Sequence, residues 1–463
     1  MVSRIIYLLT WRVSLLAVIA LISSVGCSNG KRNSNNLDSQ DVQYRTISVE
    51  DYKDKVAGGW LGQATAVLWA ESTESKWQGE MIPFEFDDWS MFDSKYGQEV
   101  YQSIDTAYAK ETGDWSEYRE KMMKYYNDDS YWISYTPEEM SNQDDLYIEF
   151  MFLHSINKYG LDVTAKQMAE DWVSYLDSNM IWCANKGAYQ NFQKGIWPPM
   201  SSHPDNTIWG NAIDYQIEAD LFGLIAPGLP QSSNAWGDKV GHMMNYGDGV
   251  YAGMAMSAMY GEAFFEKDPR KLVEYSLKVI PEESEYARMI RFVIAAHDKH
   301  PNNWEAAWEE LEVEAVKSEW NTAVDVRING AYVYMGLLYG EGDYWKTMNV
   351  SMRCGRDSDC NPSSSVGIIG TVLGLKNTPA EGQFLRDLPI NNMGWENKNN
   401  EGQKARLTMD EIYPEKLYWD DILESTVEIG IKNIVANGGK VEDDIIYIPI
   451  QKPTIPALEQ VPV

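Results

Sequence analysis

Apolar residues recur with helical spacing over most of this chain. Ile148, Phe152 and Ile156 stand at i, i+4 and i+8, one face of a helix that stops near Gly160. The same kind of reading predicts helices over Tyr52–Trp69, Val163–Tyr175, Gly249–Phe265, Pro269–Ile280, Ser284–His297, Trp304–Val316, Asn329–Tyr339, Asp343–Arg353 and Ser363–Leu375. Start signals support it. Ser48-x-x-Asp51 resembles a capping box, and Thr136-Pro137-Glu138-Glu139 offers a cap, a proline at the first helical position and a glutamate two residues on. Strand-like alternation is scarce, with Ile445–Ile450 the best candidate, and no repeat of fixed period is present. The pattern predicts an all-α protein with one large helical domain over residues 46–430.

Both ends depart from this pattern. Arg4 and Arg12 precede an apolar run from Val13 to Val25, which ends in Gly26 and Cys27. A basic start, a short apolar stretch and small residues describe a secretory signal, because a spanning helix needs about 20 apolar residues. Ser-Val-Gly-Cys at 24–27 resembles a bacterial lipobox, so residues 1–26 are expected to be a lipoprotein signal peptide and Cys27 the lipidated first residue. The expected location is exported, lipid-anchored at the outer membrane or periplasm of a Gram-negative bacterium. Residues 27–45 are polar and read as a flexible tether, and residues 431–463 read as a proline-containing C-terminal extension.

Composition narrows the partners. The 463 residues carry 69 Asp and Glu against 39 Lys and Arg, a net charge of −30. Such a chain repels phosphate, which excludes a nucleic-acid partner and disfavours anionic membrane surfaces except through the lipid anchor. Removing the signal takes away Arg4 and Arg12 but no acid, so the charge falls further. Four cysteines, one of them in the lipobox, do not make a disulfide scaffold, although a Cys354–Cys360 bridge is conceivable.

Carboxylates are the candidate chemistry. Gly355-Arg356-Asp357-Ser358-Asp359-Cys360-Asn361-Pro362 lies between two predicted helices, and Asp357 and Asp359 can aim two carboxylates at one cation. A calcium-loop reading fails, because Pro362 stands where glycine is required and Ile368 where the bidentate glutamate belongs. Gly367, Gly370 and Gly374 follow; each glycine costs a helix about 1 kcal/mol against alanine, so they imply close packing against another helix. Asn142-Gln143-Asp144-Asp145 opens the helix through Phe152, where the acids also suit the helix dipole. Asp-Asp occurs at four other places, so the pair alone is unspecific. Asp214 and Glu218 would share a helical face with Asp220 nearby, and like charges at that spacing call for a cation or ligand. Asp248 sits in the turn that opens another helix.

Four blocks in this order resemble the ADP-ribosylglycohydrolase family (dinitrogenase-reductase-activating glycohydrolase-like and crystallin J1-like). Gly58-Gly59-Trp60-Leu61-Gly62-Gln63-Ala64 resembles its N-terminal glycine helix, and Gln143-Asp144-Asp145-Leu146 stands at its Thr-Asp-Asp-Thr motif. Gly223–Gly228 resembles its central Ala-Pro block, and Gly355–Asn361 with the glycine helix after it resembles its C-terminal Gly-Gly-Asp-x-Asp-Thr motif. The resemblance implies a multi-helix orthogonal bundle and a site for two divalent cations, Mg²⁺ foremost, with Mn²⁺ or Ca²⁺ as alternatives. Carried over, the metal ligands are Gln143, Asp144, Asp145, Asp357, Asp359 and Cys360. Gln143 can offer a carbonyl oxygen; Cys360 offers a soft thiol, which suits Zn²⁺ better than Mg²⁺. Gln63 replaces the usual aspartate of the first helix. The acid/base falls on Glu74, with Glu71 competing, and Asp214, Glu218, Asp220 and Asp248 are substrate-contact candidates.

The expected function is therefore exported, metal-dependent hydrolysis of an N- or O-glycosidic bond at a sugar anomeric carbon, on a small-molecule or oligosaccharide glycoside, by a monomer. The alternative is a non-catalytic glycan-binding surface lipoprotein that uses aromatic platforms, for which Trp60, Trp69, Trp77, Trp182, Trp197, Trp209 and Trp236 are candidates, most tryptophans of such a chain being core or rim. Neither a Gly-x-Ser-x-Gly elbow nor a phosphate loop is present.

Overall fold

In the computed structural model, which describes residues 42–70, 73–83, 85, 143–176, 178, 181–379, 386, 389–390, 394–396, 404–406 and 417–459, strand β1 (Tyr44–Ser48) leads directly into helix α1 (Val49–Ala70). The Ser48 hydroxyl accepts from Asp51 N at 2.9 Å and donates to the Asp51 carboxylate, so the predicted cap forms. Then come α2 (Asp144–Tyr159), α3 (Ala165–Tyr175), α4 (Cys183–Gln193), α5 (Asp214–Ile217), α6 (Asp220–Leu224) and α7 (Pro230–Met244). The chain continues through α8 (Asp248–Ala263), α9 (Pro269–Ser276), α10 (Glu285–Lys299), α11 (Trp304–Lys317), α12 (Val326–Gly340), α13 (Tyr344–Arg353) and α14 (Cys360–Leu373). Strands β2 (Pro389–Ile390), β3 (Gly394–Glu396), β4 (Lys404–Arg406) and β5 (Leu417–Tyr418) form two small antiparallel pairs, β2 with β5 and β3 with β4. Last are α15 (Trp419–Ala436), β6 (Lys440–Glu442) and β7 (Ile445–Pro449). The fold is all-α, as expected, with one three-stranded sheet in the order β1-β7-β6.

Four helices are buried on nearly every side: α1 from Val56 onward, α8, α12 and α14. Their sequences are apolar or small all round, which is the pattern of a helix enclosed by others. Amphipathic helices such as α9, α10 and α13 cover them.

The predicted close packing of the glycine helices is found between α1 and α14. A Cβ on Gly58 would lie 2.2 Å from the carbonyl oxygen of Gly370, and one on Gly62 would lie 2.8 Å from that of Val366. The pairs run in opposite directions along the two helices, so the end of α1 meets the start of α14.

Three long helices were not expected: α4, α7 and α15. α4 (CANKGAYQNFQ) and α7 (PQSSNAWGDKVGHMM) are rich in residues that hydrogen-bond locally or break helices, so burial rather than propensity holds them. The expected domain edge at 430 falls inside α15. Beyond it, β7 pairs antiparallel with β1, from Tyr44↔Pro449 to Ser48↔Ile445, with Ile446 and Ile448 buried. The following tail lies on α7, where Asn234 donates to the Thr454 carbonyl at 2.8 Å and the His242 ring meets Glu459 at 2.7 Å. The C-terminal extension is thus joined to the helical body.

The expected signal peptide with Cys27, the tether as far as residue 41, Glu71 and the Thr136–Glu139 cap lie outside the described residues. Among the described residues no helix is long and apolar enough to cross a membrane. Cys183, Cys354 and Cys360 are free thiols, so Cys354 and Cys360 form no bridge.

Candidate active site

The antiparallel contact of α1 and α14 decides where the acids go. The chain leaving α1 at Ala70 runs beside the loop that enters α14. Ser75 N donates to the Arg356 carbonyl at 3.0 Å, Arg356 N to the Trp77 carbonyl at 2.7 Å, and Ile82 N to the Arg353 carbonyl at 2.9 Å. The hydroxyls of Thr73 and Ser358 meet at 2.8 Å. Glu74 is thereby stitched alongside Asp357. From the other side, the Asn329 side chain on α12 accepts from Asp357 N at 3.2 Å and from the Asn361 amide at 3.0 Å.

α2 brings the second pair of acids. Gln143 is its N-cap residue and makes no side-chain cap, so Asp144 and Asp145 occupy the first turn, where the helix dipole favours negative charge. Asp145 is fully buried beside Cys360 and Ser363 of α14, yet neither of its oxygens receives a well-formed hydrogen bond. Asp144, Asp357 and Glu74 are only partly buried and line the mouth of the cluster, whereas Asp145, Asp359 and Cys360 form its floor.

The electrostatics follow from that enclosure. Burial first, then Asp214, Asp357 and Glu74, pushes Asp144 up to about 8. Burial and Asp357 push Glu74 up to about 7 against the opposing charge of Lys76. Asp145 and Asp359 are held well above the carboxylate range, mainly by burial and then by neighbouring acids. No ion pair to another described residue engages Asp144, Asp145, Asp357 or Asp359. Buried acids that face one another without a cation are costly unless protonated or joined by a ligand.

Asp214 and Glu218 extend the cluster. Asn185 of α4 holds both: its backbone N–H donates to Asp214 at 2.9 Å and its side-chain amide to Glu218. One oxygen of each acid remains buried without a partner. Asp220 is placed differently, deep in the core, accepting from the Tyr260 hydroxyl at 2.5 Å. Asp248 lies away from the cluster. It accepts from Tyr286 N at 3.0 Å and faces Arg327 at 3.8 Å at the start of α8.

Sequence reading did not single out Cys183, Asn185, Glu149 or Asn329. Cys183 is a half-buried thiol whose surroundings include Asp214, Asp357, Asp144 and Glu74. Nothing in its neighbours along the chain signals this. Glu149 was accessible, since it follows Asp145 by one helical turn; it accepts from Leu221 N at 3.0 Å and from Gln63 at 3.4 Å. Ser75, Cys183 and Arg356 all adopt positive φ (58°, 39° and 60°), a conformation disfavoured for these residue types, and all three stand beside this site.

The donor set fits a divalent cation. Asp357, Asp359 and Cys360 each offer a ligand atom within 4.8 Å of the others, and the unpartnered oxygens of Asp145 and Asp357 lie beside them. Glu74 stands partly exposed beside this donor set.

No curated protein matches the sequence. A solved chain from an ADP-ribosylglycohydrolase-related protein complex is similar at 10% identity and a TM-score of 0.48, covering 83% of this chain and 99% of that one. Residues 48–389, which include Glu74, both aspartate pairs and Cys360, match the family model for ADP-ribosylglycohydrolase. By that match over well more than half its length, the chain belongs to the ADP-ribosylglycohydrolase family.

Proposed function

We propose that the protein is a metal-dependent glycoside hydrolase that cleaves an N- or O-glycosidic bond at the anomeric carbon of a small glycoside. The family supports a glycohydrolase; the observation that carries the rest is the convergence of Asp144 and Asp145 on Asp357, Asp359 and Cys360, with buried oxygens lacking partners. Asp144, Asp145, Asp357 and Asp359 would hold two divalent cations, with the Gln143 carbonyl and the Cys360 sulfur as further donors. Bound there, the cations supply Lewis-acid polarisation and a template for substrate and water.

The chain's own residues do the remaining work. Glu74, partly exposed and pushed up to about 7, is suited both to give a proton to the leaving atom and to take one from water. Asp214, fixed by Asn185 and pushed up to about 6, places negative charge near a centre that becomes oxocarbenium-like in the transition state. Glu218, held by the same residue and raised well above the carboxylate range by burial, orients Asn185. Export is part of the proposal: the basic start, the apolar run and Cys27 support a substrate met outside the cytoplasm.

The test is metal analysis followed by assay of ADP-ribosyl and furanosyl glycosides with and without EDTA. Activity should vanish on chelation, return with a divalent cation, and be lost in Glu74→Gln without loss of metal. The reading is overturned if the protein folds and works without metal and if Asp357→Ala and Asp359→Ala leave activity unchanged.

A further inference from the structure

Resting on the metal-site reading above, we infer that Cys360 makes this centre a mixed thiolate–carboxylate site that selects a borderline-soft dication of the Zn²⁺ or Co²⁺ class over Mg²⁺. The sulfur is the first residue of α14, is 5% exposed, and lies 3.8 Å from Asp359 Oδ1. Asp357, Asp359 and Cys360 present their ligand atoms within 4.8 Å of one another. Zn²⁺ binds sulfur at about 2.3 Å and carboxylate oxygen at about 2.0–2.2 Å, so at tetrahedral angles a sulfur and an oxygen on one ion stand about 3.5–3.7 Å apart, close to the 3.8 Å between Cys360 and Asp359. Small side-chain rotations close the remaining gap.

A second observation points into the same spot. Asp145 is 0% exposed, neither of its oxygens receives a well-formed hydrogen bond, and its carboxylate faces Cys360 and Ser363. It supplies a fourth donor from a different helix, giving one sulfur and three carboxylates. Mg²⁺ demands near-ideal octahedral oxygen coordination and keeps several waters, which a buried thiol frustrates. Zn²⁺ and Co²⁺ accept sulfur and lower coordination numbers. On binding, the thiol loses its proton to solvent and the S–M bond forms; no redox change is involved.

The test uses the full chain, stripped with EDTA and titrated with Co²⁺, Zn²⁺ and Mg²⁺. Co²⁺ should raise a near-ultraviolet thiolate-to-cobalt charge-transfer band in the wild type and in Cys183→Ser. Cys360→Thr should abolish it and lower the Zn²⁺-over-Mg²⁺ affinity ratio by about tenfold or more, leaving Mg²⁺ binding intact. Cys360→Ser, nearer in size, serves if the threonine variant misfolds. Co²⁺ binding without the band, or an unchanged ratio in Cys360→Thr, overturns the inference while leaving the metal-site reading in place. A band that survives Cys360→Thr and disappears in Cys183→Ser overturns it in favour of the other thiol. If the wild type binds no divalent cation at all, the metal-site reading fails with it.

Discussion

The carbonyl oxygen of Gly58 lies 2.0 Å from the point where a Cβ on Gly370 would stand, so α1 and α14 touch backbone to backbone. No flexible side chain can yield there. Gly370→Ala must push the helices apart, and overpacking a core costs about 1–3 kcal/mol or more. Gly160→Ala is the comparison: nothing lies within 4 Å of the added atom, and its cost is that of φ +83° with ψ −175°, a backbone region that only glycine adopts readily, about 1–3 kcal/mol. Both variants should therefore lower the urea midpoint, but only Gly370→Ala should lose activity in the folded protein, since that helix contact brings Glu74 to Asp357. A fully active Gly370→Ala would contradict the backbone contact.

On the metal-site proposal, Asp145 would trade stability for binding. Its buried, unpartnered carboxylate raises the energy of the metal-free fold, so Asp145→Asn should make the EDTA-treated protein more stable at pH 8 by about 1 kcal/mol or more. The same change should remove most of the rise in melting temperature that a divalent cation gives the wild type. Melting curves with and without cation check both. A destabilised Asp145→Asn in EDTA would count against it.

The acids also set a pH dependence with a definite sign. Asp144 is pushed up to about 8, Glu74 to about 7 and Asp214 to about 6, all above their unfolded values near 4. Between those limits the folded state binds more protons than the unfolded state, so stability falls as pH rises from about 4 to about 8. In EDTA the melting temperature should therefore decline across that window. A bound dication, which replaces the protons, should flatten the decline. A metal-free protein that gains stability over the same range would refute the enclosure of these groups.

How much of this was legible depended on whether a residue's role is local. The run from Ile148 to Ile156 and the glycines of α14 announce a helix and a close approach through their own spacing. Asp357 and Asp359 stand two apart in one loop, and the pairing of that loop with Asp144 and Asp145 followed from family resemblance. Asn185 is different. It lies on α4, a polar stretch with little helical pattern, and acquires its role only when folding brings Asp214 and Glu218 to it. Asp248 shows the converse: a turn signal drew attention to it, yet its carboxylate caps Tyr286 N and faces Arg327, away from the acids. Spacing reveals which acids share an element, whereas long-range packing decides which of them share a site.

Arg356 ties the loop that carries Asp357 and Asp359 to the core. Its guanidinium donates to Glu312 at 2.7 Å, to the Asn321 carbonyl at 3.0 Å and to the Tyr332 hydroxyl at 3.2 Å, while its own backbone holds φ +60° immediately before Asp357. Arg356→Ala leaves Glu312, partly buried and still accepting from the Tyr332 hydroxyl, without its cation, and losing such a charged hydrogen bond costs about 1–3 kcal/mol. Arg356→Lys should recover only part of this, because one ammonium cannot span three acceptors in a fixed plane. Glu312→Gln removes the stranded charge, so the double variant Arg356→Ala/Glu312→Gln should be more stable than Arg356→Ala alone, with a coupling of about 0.5–3 kcal/mol. Activity should not recover with it, since the lost guanidinium also anchored the loop through Asn321. Urea denaturation of the four proteins, set beside their turnover, separates the two roles: parallel recovery of stability and turnover would mean that Arg356 acts only through its charge on Glu312.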